Sequence, residues 1–531
     1  MSDTMRLTCL AIHSADNYPG MPQWRFSLAF AYLQAALTPS PCYERLSFTH
    51  LNFYEYHTDA TIQAALRESQ PDLLAISCYV WNFNQVQRLL HGLQQEWPQL
   101  LVVLGGPEIS ADSQWVMERY PAVKFMVVGE GEITFRTLLE TLLTPEEGGY
   151  GTIKGLFWRS REGEIHYNGP APMIDPLDAL PSPYLLGLIP PAAIQQGLAP
   201  LETQRGCILD CAFCNYQKGF KNVRYFALPR VMAELAWILQ QHPRQLYLMD
   251  PAFNSNRRRA AQILQVIAHH RQQGMRVQVN AEMIPDILTP ELMRLCGEAG
   301  MGILEMGVQS LTPTAVATMR RYRNEEKLFR AFDLAKENRI IAVPQIIFGL
   351  PGDSLAGFLA TFDRVYALAT PELDILHLLV LPGTHYRQQA EHYGLVYEDH
   401  PPYALLASHD FSREEITLLR RFAKVVLVLL PMKEAMLHLC QELVLPPHQP
   451  FLKFLEGWRE EKPGFHWPVH QEEDRRQAVA MVGVFLDFLQ KNLLSLLPEP
   501  RQSALHEQFR RAAKRCAILL SAHLLTRRNP L

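Results

Sequence analysis

Apolar runs alternate with amphipathic stretches over the first 145 residues of the chain. Leu73–Cys78 is a continuous apolar run, which is typical of a strand buried on both faces of a sheet, and Asn84–Trp97 follows it with apolar residues at helical spacing. The same pattern predicts further strands over Arg6–Ile12, Leu46–Phe53, Leu100–Leu104 and Val123–Val128. This alternation predicts a doubly wound, Rossmann-like parallel sheet over residues 1–147.

Three loops follow strands of this predicted sheet. They are Ser77–Asn82, Gly105–Glu108 and Gly129–Glu132. Open parallel sheets bind ligands beyond the carboxyl ends of their strands, and a glycine pair such as Gly105-Gly106 lets a ligand approach the backbone closely. A tight turn between strand and helix would also explain the glycines, because a Gly pair alone is weak evidence.

A linker and a second alternating region come next. Residues 148–200 are rich in Gly and Pro and read as a linker with a small hairpin, its strands at Leu156–Arg159 and Glu164–Tyr167. Strand and helix patterns then resume, which predicts a partial, TIM-like (β/α)6 barrel over residues 201–388. Residues 389–531 read as a helical C-terminal domain.

Polar residues stand where successive strands of the predicted barrel end. They are Asp250, Glu282, Glu305, Gln309-Ser310 and Gly349–Gly352. In a barrel these strand ends form one rim, where active sites are built. A buried ion pair could explain each glutamate and a simple turn could explain Gly349–Gly352, but their recurrence at one rim favours a function.

Composition narrows the class of protein without naming it. The chain has 531 residues, 48% of them hydrophobic and 20% charged, with a net charge of −4. This balance gives no electrostatic reason to expect a nucleic acid or an anionic membrane as partner. We find no secretory pattern near Met1 and no apolar run of about 18 residues, so we expect a cytoplasmic protein with no membrane contact.

One loop concentrates the candidate chemistry. Cys207, Cys211 and Cys214 fall within eight residues at the spacing C-x3-C-x2-C, whereas the other six of nine cysteines are scattered. Three thiolates so close can wrap one iron–sulfur cube, leaving its fourth iron open for a ligand. A zinc site or three buried thiols are the alternatives. Zinc would need a fourth ligand, and the candidates, His242 and Cys296, are distant.

This loop resembles the signature of the radical S-adenosylmethionine enzymes, and the resemblance covers roughly residues 200–385. It implies a [4Fe–4S] cluster held by the three loop cysteines, with S-adenosylmethionine on the open iron and Phe213 covering the cluster. The implied cofactor contacts are Glu305, Gln309 and Ser310 at the ribose and carboxylate, Gly349 and Pro351 near the adenine, and Asp250 at the methionine amino group. The Gly-Gly-Glu motif of the family is not present.

The N-terminal region resembles the cobalamin-binding domain that precedes the radical domain in one class of these enzymes. The resemblance implies cobalamin contacts from the three loops, namely Ser77, Tyr79, Gly105, Gly106 and Glu130. The D-x-H-x-x-G motif, whose His ligates cobalt in the broader B12 pattern, is absent. We therefore expect cobalamin bound without a protein His on cobalt.

Together the two resemblances imply a reaction class. The reduced cluster would cleave S-adenosylmethionine to a 5′-deoxyadenosyl radical, and cobalamin would carry a methyl group to an unactivated carbon of a small-molecule or peptide substrate. A flavodoxin or ferredoxin would supply the electron. The alternatives are a cobalamin-assisted oxidative cyclisation or rearrangement without net methylation, and a corrinoid or iron–sulfur sensor that is not an enzyme.

Overall fold

The computed structural model describes residues 4–14, 24–110, 112–144, 149–216, 222–321, 323–458 and 472–525. The boundary expected between residues 147 and 148 lies outside these ranges. Two parallel sheets of seven and six strands form the frame of the described chain, and a set of helices follows them. The α/β class, the parallel sheets and the helical C-terminal region predicted from the sequence are confirmed.

The N-terminal sheet has the order β2-β1-β3-β4-β5-β6-β7, with β1–β5 parallel and β6 and β7 antiparallel. Its elements are β1 (Met5–His13), α1 (Leu28–Leu37), β2 (Leu46–Tyr54), α2 (Asp59–Ser69), β3 (Leu73–Ser77), α3 (Phe83–Glu96), β4 (Leu101–Gly105), α4 (Gln114–Arg119), β5 (Val123–Val127), α5 (Gly131–Leu143), β6 (Leu156–Arg159) and β7 (Ile165–Tyr167). All five residues of β3 are buried, because helices cover both faces of the sheet.

The hairpin that the sequence places in a linker extends this sheet. Phe125 of β5 pairs with Trp158 of β6 in antiparallel register, and β7 pairs with β6 as the outer edge. The hairpin therefore hydrogen-bonds to the N-terminal domain, and the connection that remains between the two domains begins after Tyr167.

The second sheet has the order β15-β14-β13-β12-β11-β8, and every neighbouring pair is parallel, as a partial barrel requires. Its elements are α6 (Pro191–Ile194), β8 (Leu198–Leu201), β9 (Gln204–Arg205), β10 (Arg224–Tyr225), α7 (Leu228–Gln240), β11 (Gln245–Leu248), α8 (Arg257–Gln272), β12 (Gln278–Glu282), α9 (Pro290–Glu298), β13 (Met301–Gln309), α10 (Pro313–Thr318), α11 (Glu325–Glu337), β14 (Ile341–Phe348), α12 (Leu355–Tyr366) and β15 (Asp374–His377). The strands β9 and β10 form a separate two-stranded ribbon.

The C-terminal region packs on the barrel and shares its apolar core. Its elements are α13 (His385–Gln388), β16 (Val396–Tyr397), β17 (Leu405–Ala407), α14 (Arg413–Leu429), α15 (Lys433–Leu443), α16 (Gln449–Gly457), α17 (Glu472–Asn492) and α18 (Glu499–Leu525). Phe362 of α12 stands edge-on to Phe422 of α14 at 4.9 Å between ring centroids, and all these helices contribute to one contiguous core. By length and composition alone, one described helical stretch, Arg476–Leu496, could span a membrane.

Candidate active site

The cysteine loop leaves the barrel through the β9–β10 ribbon. Arg205 of β9 pairs with Arg224 of β10, so the ribbon closes the base of the loop that carries the cysteines. Gly206 follows β9 with φ +90°, and a Cβ there would lie 2.8 Å from the carbonyl oxygen of Asn222. Only glycine fits this close approach, and it turns the chain towards Cys207.

All three loop thiols line one cavity of about 250 Å³, which we call the cluster cavity. Burial raises the pKa of Cys207, Cys211 and Cys214, that of Cys214 to about 11. The loop therefore holds protonated thiols until a cation displaces their protons. In the ranges that the structure describes, no three His, Cys, Asp or Glu side chains are already drawn together as a metal site. The fit to a cluster rests on the shared cavity and on the chemistry of three thiols.

The opposite side of the cluster cavity carries polar residues from the barrel strands. Glu282, Glu305, Gln309 and Gln345 line it from the strands. Arg321, which follows α10, lines the cavity beside Cys211, to which it is hydrogen-bonded. Glu305 accepts a hydrogen bond from Nε2 of Gln345 at 3.2 Å, and burial raises the pKa of both Glu282 and Glu305. Gln309 has φ +65°, and its buried Oε1 has no hydrogen-bond partner in the structure. These groups suit a ligand that brings hydrogen-bond donors and positive charge, as S-adenosylmethionine does.

Four residues expected at the cofactor lie outside the lining of this cavity and have other contacts. Asp250 accepts hydrogen bonds from the backbone N–H of Thr203 at 2.7 Å and of Gln204 at 3.1 Å, so its carboxylate anchors the strand that leads to the loop. The other three are Ser310, which donates to Asp353 at 2.8 Å, Pro351, whose carbonyl accepts from Thr318, and Gly349, where an added Cβ would lie 2.7 Å from a methyl carbon of Leu405. Burial raises the pKa of Asp250 to about 7, although its hydrogen bonds act in the other direction.

A larger cavity of about 680 Å³ lies between the N-terminal sheet and the barrel, and we call it the interdomain cavity. The lining includes the residues that the sequence assigns to cobalamin, namely Ser77, Tyr79, Gly105, Gly106 and Glu130. Phe213, Cys214 and Tyr216 line both cavities and so form the wall between them. The structure therefore brings the three N-terminal loops and the cysteine loop to one place.

Two of the N-terminal loops are locked together at Gly106. This residue has φ +101°, and a Cβ there would lie 2.6 Å from the carbonyl oxygen of Cys78. Beside it Tyr79 stacks on Trp81 with ring centroids 4.2 Å apart, and Trp81 donates a hydrogen bond from Nε1 to the carbonyl of Ile12 at 3.1 Å. The stacking and the hydrogen bond therefore hold the ring of Tyr79 in place in the wall of the cavity, without a contribution from a ligand.

The residues present fit a corrinoid. Gly129 lines the interdomain cavity with φ +87°, and nothing lies within 4 Å of the position that a Cβ would take, so the backbone leaves room that a larger residue would fill. Ser77 and the glycine backbone offer polar contacts, while Leu28, Leu33 and Val127 supply apolar surface. A large, partly apolar ring with amide side chains matches that mixture.

Glu130 has contacts that the sequence did not indicate. Oε1 accepts from Arg205 Nη1 at 3.2 Å and from Arg224 Nη2 at 2.7 Å, and Oε2 accepts from Arg224 Nη1 at 2.9 Å and from the backbone N–H of Ile174 at 2.8 Å. A carboxylate has about four acceptor positions, so protein groups already occupy those of Glu130. Glu132, the last residue of the loop Gly129–Glu132, lines the same cavity. So do Glu202 and Arg205, to which the sequence assigned no role although Arg205 lies two residues before Cys207.

Comparison with known protein families gives the class of protein. Residues 44–139 match the B12 binding domain and residues 201–365 match the radical SAM superfamily. The chain therefore joins a B12-binding domain to a radical SAM domain, as the sequence analysis expected. The two matches fall within the N-terminal domain and the barrel, which together line the interdomain cavity.

Individual relatives are similar over part of the chain. The cobalamin-dependent radical SAM methyltransferase TokK of Streptomyces tokunonensis is 32% identical over 213 residues, which is 38% of this chain and 31% of TokK. The 2-(S-pantetheinyl)-carbapenam-3-carboxylate methyltransferase of Streptantibioticus cattleyicolor is 34% identical over 203 residues, 37% of this chain and 29% of that protein. The chain thus matches about a third of the length of these curated relatives.

The fold has a solved counterpart over nearly its whole length. The cobalamin-dependent S-adenosylmethionine radical enzyme OxsB, solved with aqua-cobalamin and S-adenosylmethionine bound, superposes with a TM-score of 0.62 at 16% identity and covers 97% of this chain and 84% of its own. The methyltransferase TsrM from Kitasatospora setae, with cobalamin and a [4Fe-4S] cluster bound, gives 0.58 at 18% identity over 76% of this chain and 82% of its own. At such identities the likeness concerns the fold alone.

Proposed function

We propose that this chain is a cobalamin-dependent radical S-adenosylmethionine methyltransferase that acts on an unactivated carbon of a small-molecule or peptide substrate. The observation that carries the proposal is the wall formed by Phe213, Cys214 and Tyr216, which the cluster cavity and the interdomain cavity share. A substrate at this wall would face both cofactor sites at once. Such positioning is where a reaction with several cofactors gains much of its rate.

The residues divide into three roles in this proposal. Cys207, Cys211 and Cys214 hold the cluster, and the loops at Ser77–Tyr79 and Gly105-Gly106 hold the corrinoid. When bound, the cluster and S-adenosylmethionine supply hydrogen-atom abstraction and the corrinoid supplies a methyl group. Glu305 and Gln309 orient the S-adenosylmethionine through hydrogen bonds, and the aromatic rings of Phe213 and Tyr216 keep water from the space between the cofactors.

The reduction step needs a partner. We expect a flavodoxin or ferredoxin to deliver single electrons to the cluster, because cleavage of the sulfonium requires a low-potential donor. Two curated relatives that are similar over part of the chain are named as methyltransferases, which supports methyl transfer for this chain.

The test is anaerobic reconstitution with iron, sulfide, cobalamin and S-adenosylmethionine, followed by reduction with titanium(III) citrate. We expect about four irons per chain, bound corrinoid and slow formation of 5′-deoxyadenosine even without substrate. The matched control is Cys42→Ala, a buried cysteine of the N-terminal domain, which should leave all three readouts unchanged. Folded wild-type protein that takes up zinc but no iron, or no corrinoid, would contradict the proposal.

Product analysis separates the remaining possibilities once a substrate is found. S-Adenosylhomocysteine formed together with 5′-deoxyadenosine supports methylation, whereas 5′-deoxyadenosine without S-adenosylhomocysteine supports cyclisation or rearrangement. A sensor would bind both cofactors and form neither product.

A further inference from the structure

Five charged side chains connect the two domains directly beneath the cysteine loop. Arg205 donates from Nη1 to Glu130 at 3.2 Å, from Nη2 to Glu132 at 2.7 Å and from Nε to Glu202 at 3.1 Å. Arg224 donates to both oxygens of Glu130, at 2.7 and 2.9 Å. We call these five residues the interdomain clasp. Two of its carboxylates belong to the start of α5 in the N-terminal domain, and both guanidinium groups belong to the radical domain.

The clasp contacts both chain segments at the base of the cysteine loop. Arg205 and Arg224 are paired neighbours in the β9–β10 ribbon, so the two chain segments that enter and leave the loop are held by carboxylates of the other domain. Cys207 follows Arg205 by only two residues. The guanidinium of Arg205 also lies over the ring of Tyr32 of α1 at 5.5 Å, which adds a third contact with the N-terminal domain.

The clasp is buried and its contacts are directional. The side chains of Arg205 and Arg224 are 13% and 6% exposed, and those of Glu130 and Glu132 are 8% exposed. Burial acts to raise the pKa of Glu130, but the hydrogen bonds from Arg224 and Ile174 outweigh it and the pKa is lowered. Removing one partner of such a group leaves an uncompensated buried charge, which is costly, whereas exposed ion pairs contribute little.

The clasp lies beside the interdomain cavity and at the base of the cysteine loop. Glu130, Glu132, Glu202 and Arg205 line the interdomain cavity, and the loop that Arg205 begins carries the wall shared with the cluster cavity. Apolar packing between the domains tolerates sliding. The bidentate pair of Arg224 with Glu130, together with the single hydrogen bonds of Arg205 to Glu130 and to Glu132, fixes distance and orientation. A shift of one domain relative to the other would change the separation of the two cofactor sites.

We propose that Arg205, held by Glu130 and Glu132, is a positioning residue that fixes the cysteine loop relative to the corrinoid site and so sets the distance between cluster and cobalt. This inference rests on the proposed function for the identity of the two cofactors. It assigns Glu130 to the clasp and not to direct cofactor contact. Glu130, which the sequence predicted to contact cobalamin, therefore has a different role in this inference.

The test compares Arg205→Gln and Arg205→Lys with wild type. The matched control is Arg6→Gln, which removes a bidentate pair with Asp72 that is exposed and lies within the N-terminal domain. Iron and corrinoid content are measured first. Cobalt(II) paramagnetic resonance with the cluster oxidised or reduced then reports how strongly the two centres interact, which a purely structural role would not change.

We expect Arg205→Gln to keep both cofactors but to show a weaker and more heterogeneous interaction between cobalt(II) and the reduced cluster. Iron release to a chelator should become about tenfold faster, since a hydrogen bond to a charged group is worth about 1.5 kcal/mol or more and 1.4 kcal/mol is a factor of ten. Arg205→Lys keeps the positive charge but loses the planar guanidinium group, which can donate hydrogen bonds to several carboxylates at once. Its cobalt–cluster interaction and its rate of iron release should therefore lie between those of Arg205→Gln and wild type. Arg6→Gln should match wild type.

Several results would overturn the inference. One is Arg205→Gln protein that holds both cofactors with the wild-type cobalt–cluster interaction and the wild-type rate of iron release. If Arg205→Gln does not fold, Arg205→Lys decides by the same two readouts. If wild-type protein binds iron but no corrinoid, the proposed function fails. In that case the rate of iron release still tests the clasp, and an unchanged rate in Arg205→Gln would contradict the positioning role of Arg205.

Discussion

Replacing Gly106 with alanine should disturb the corrinoid site without touching the cluster. At this position φ is +101°, and the new Cβ would lie 2.6 Å from the carbonyl oxygen and 2.9 Å from the nitrogen of Cys78. Both are backbone atoms that cannot rotate away, so the segment around Cys78 must move. Ser77 and Tyr79 flank Cys78 and line the interdomain cavity, and they would move with it.

The expected loss of stability in Gly106→Ala follows from the backbone hydrogen bonds that join the loop at Cys78 to the loop at Gly105–Glu108. The N–H of Cys78 donates to Gly105 at 2.7 Å, and the N–H of Glu108 donates to the carbonyl of Cys78 at 3.1 Å. Losing both costs about 2 kcal/mol, and an alanine at positive φ costs about 1–2 kcal/mol more. We therefore expect Gly106→Ala to lower the free energy of unfolding by about 3–4 kcal/mol and to weaken corrinoid binding at least about tenfold.

Gly163→Ala is the matched control. Gly163 lies between β6 and β7 with φ +93°, and nothing lies within 4 Å of its Cβ position, so only the backbone strain of about 1–2 kcal/mol applies. Urea unfolding of the cofactor-free protein and a spectroscopic corrinoid titration measure the two effects. Iron content and cleavage of S-adenosylmethionine should stay at wild-type levels in both variants. Equal destabilisation by the two substitutions, with equal corrinoid affinity, would refute the reasoning.

Three further predictions concern other parts of the chain. Cys211→Ala should lose iron and cleavage of S-adenosylmethionine but keep bound corrinoid, and loss of both cofactors from folded protein would contradict separate roles for the two domains. Tyr403→Phe removes a hydrogen bond to Glu108 in the N-terminal domain and should lower the free energy of unfolding by about 1–3 kcal/mol in urea titrations, with Tyr397→Phe as control. Burial lowers the pKa of Lys433 to about 8, so folded protein binds this proton more weakly than the unfolded chain does. The free energy of unfolding should therefore rise between pH 8 and 10.5 by up to about 3 kcal/mol, and Lys433→Met should lack this rise.

The sequence predicted those features that neighbouring residues encode. A strand buried on both faces must be apolar throughout, so β3 was visible as the run that begins at Leu73. The three cysteines were visible because their spacing is short and the chemistry of a cluster needs several thiolates together. The hairpin was assigned to a linker because its partner, β5, lies thirty residues earlier and edge pairing leaves no local pattern.

Side-chain roles that depend on distant partners were not predictable. Asp250 stands at a strand end, where a cofactor contact is expected. In the structure its carboxylate instead accepts hydrogen bonds from the backbone N–H groups of Thr203 and Gln204. Glu130 likewise follows a strand of the N-terminal sheet, yet its partners Arg205 and Arg224 come more than seventy residues later. The sequence pattern of a carboxylate at a strand end is the same whether its hydrogen-bond partner is a ligand or a guanidinium group of the protein.

The interface between the two domains combines two kinds of contact with different consequences. Tyr32 of α1 stacks on Phe226 of the radical domain at 6.0 Å between ring centroids, and Leu28 and Ala31 belong to the same apolar core as the barrel. Apolar burial holds the domains together but specifies orientation weakly, because it depends on area and not on direction. The pairs of Arg205 and Arg224 with Glu130 are directional and lie beside the cavity. If this division holds, Tyr32→Leu should lower stability with little change in the cobalt–cluster interaction. Arg205→Gln should weaken that interaction and also lower stability, because it leaves buried carboxylates without their partner.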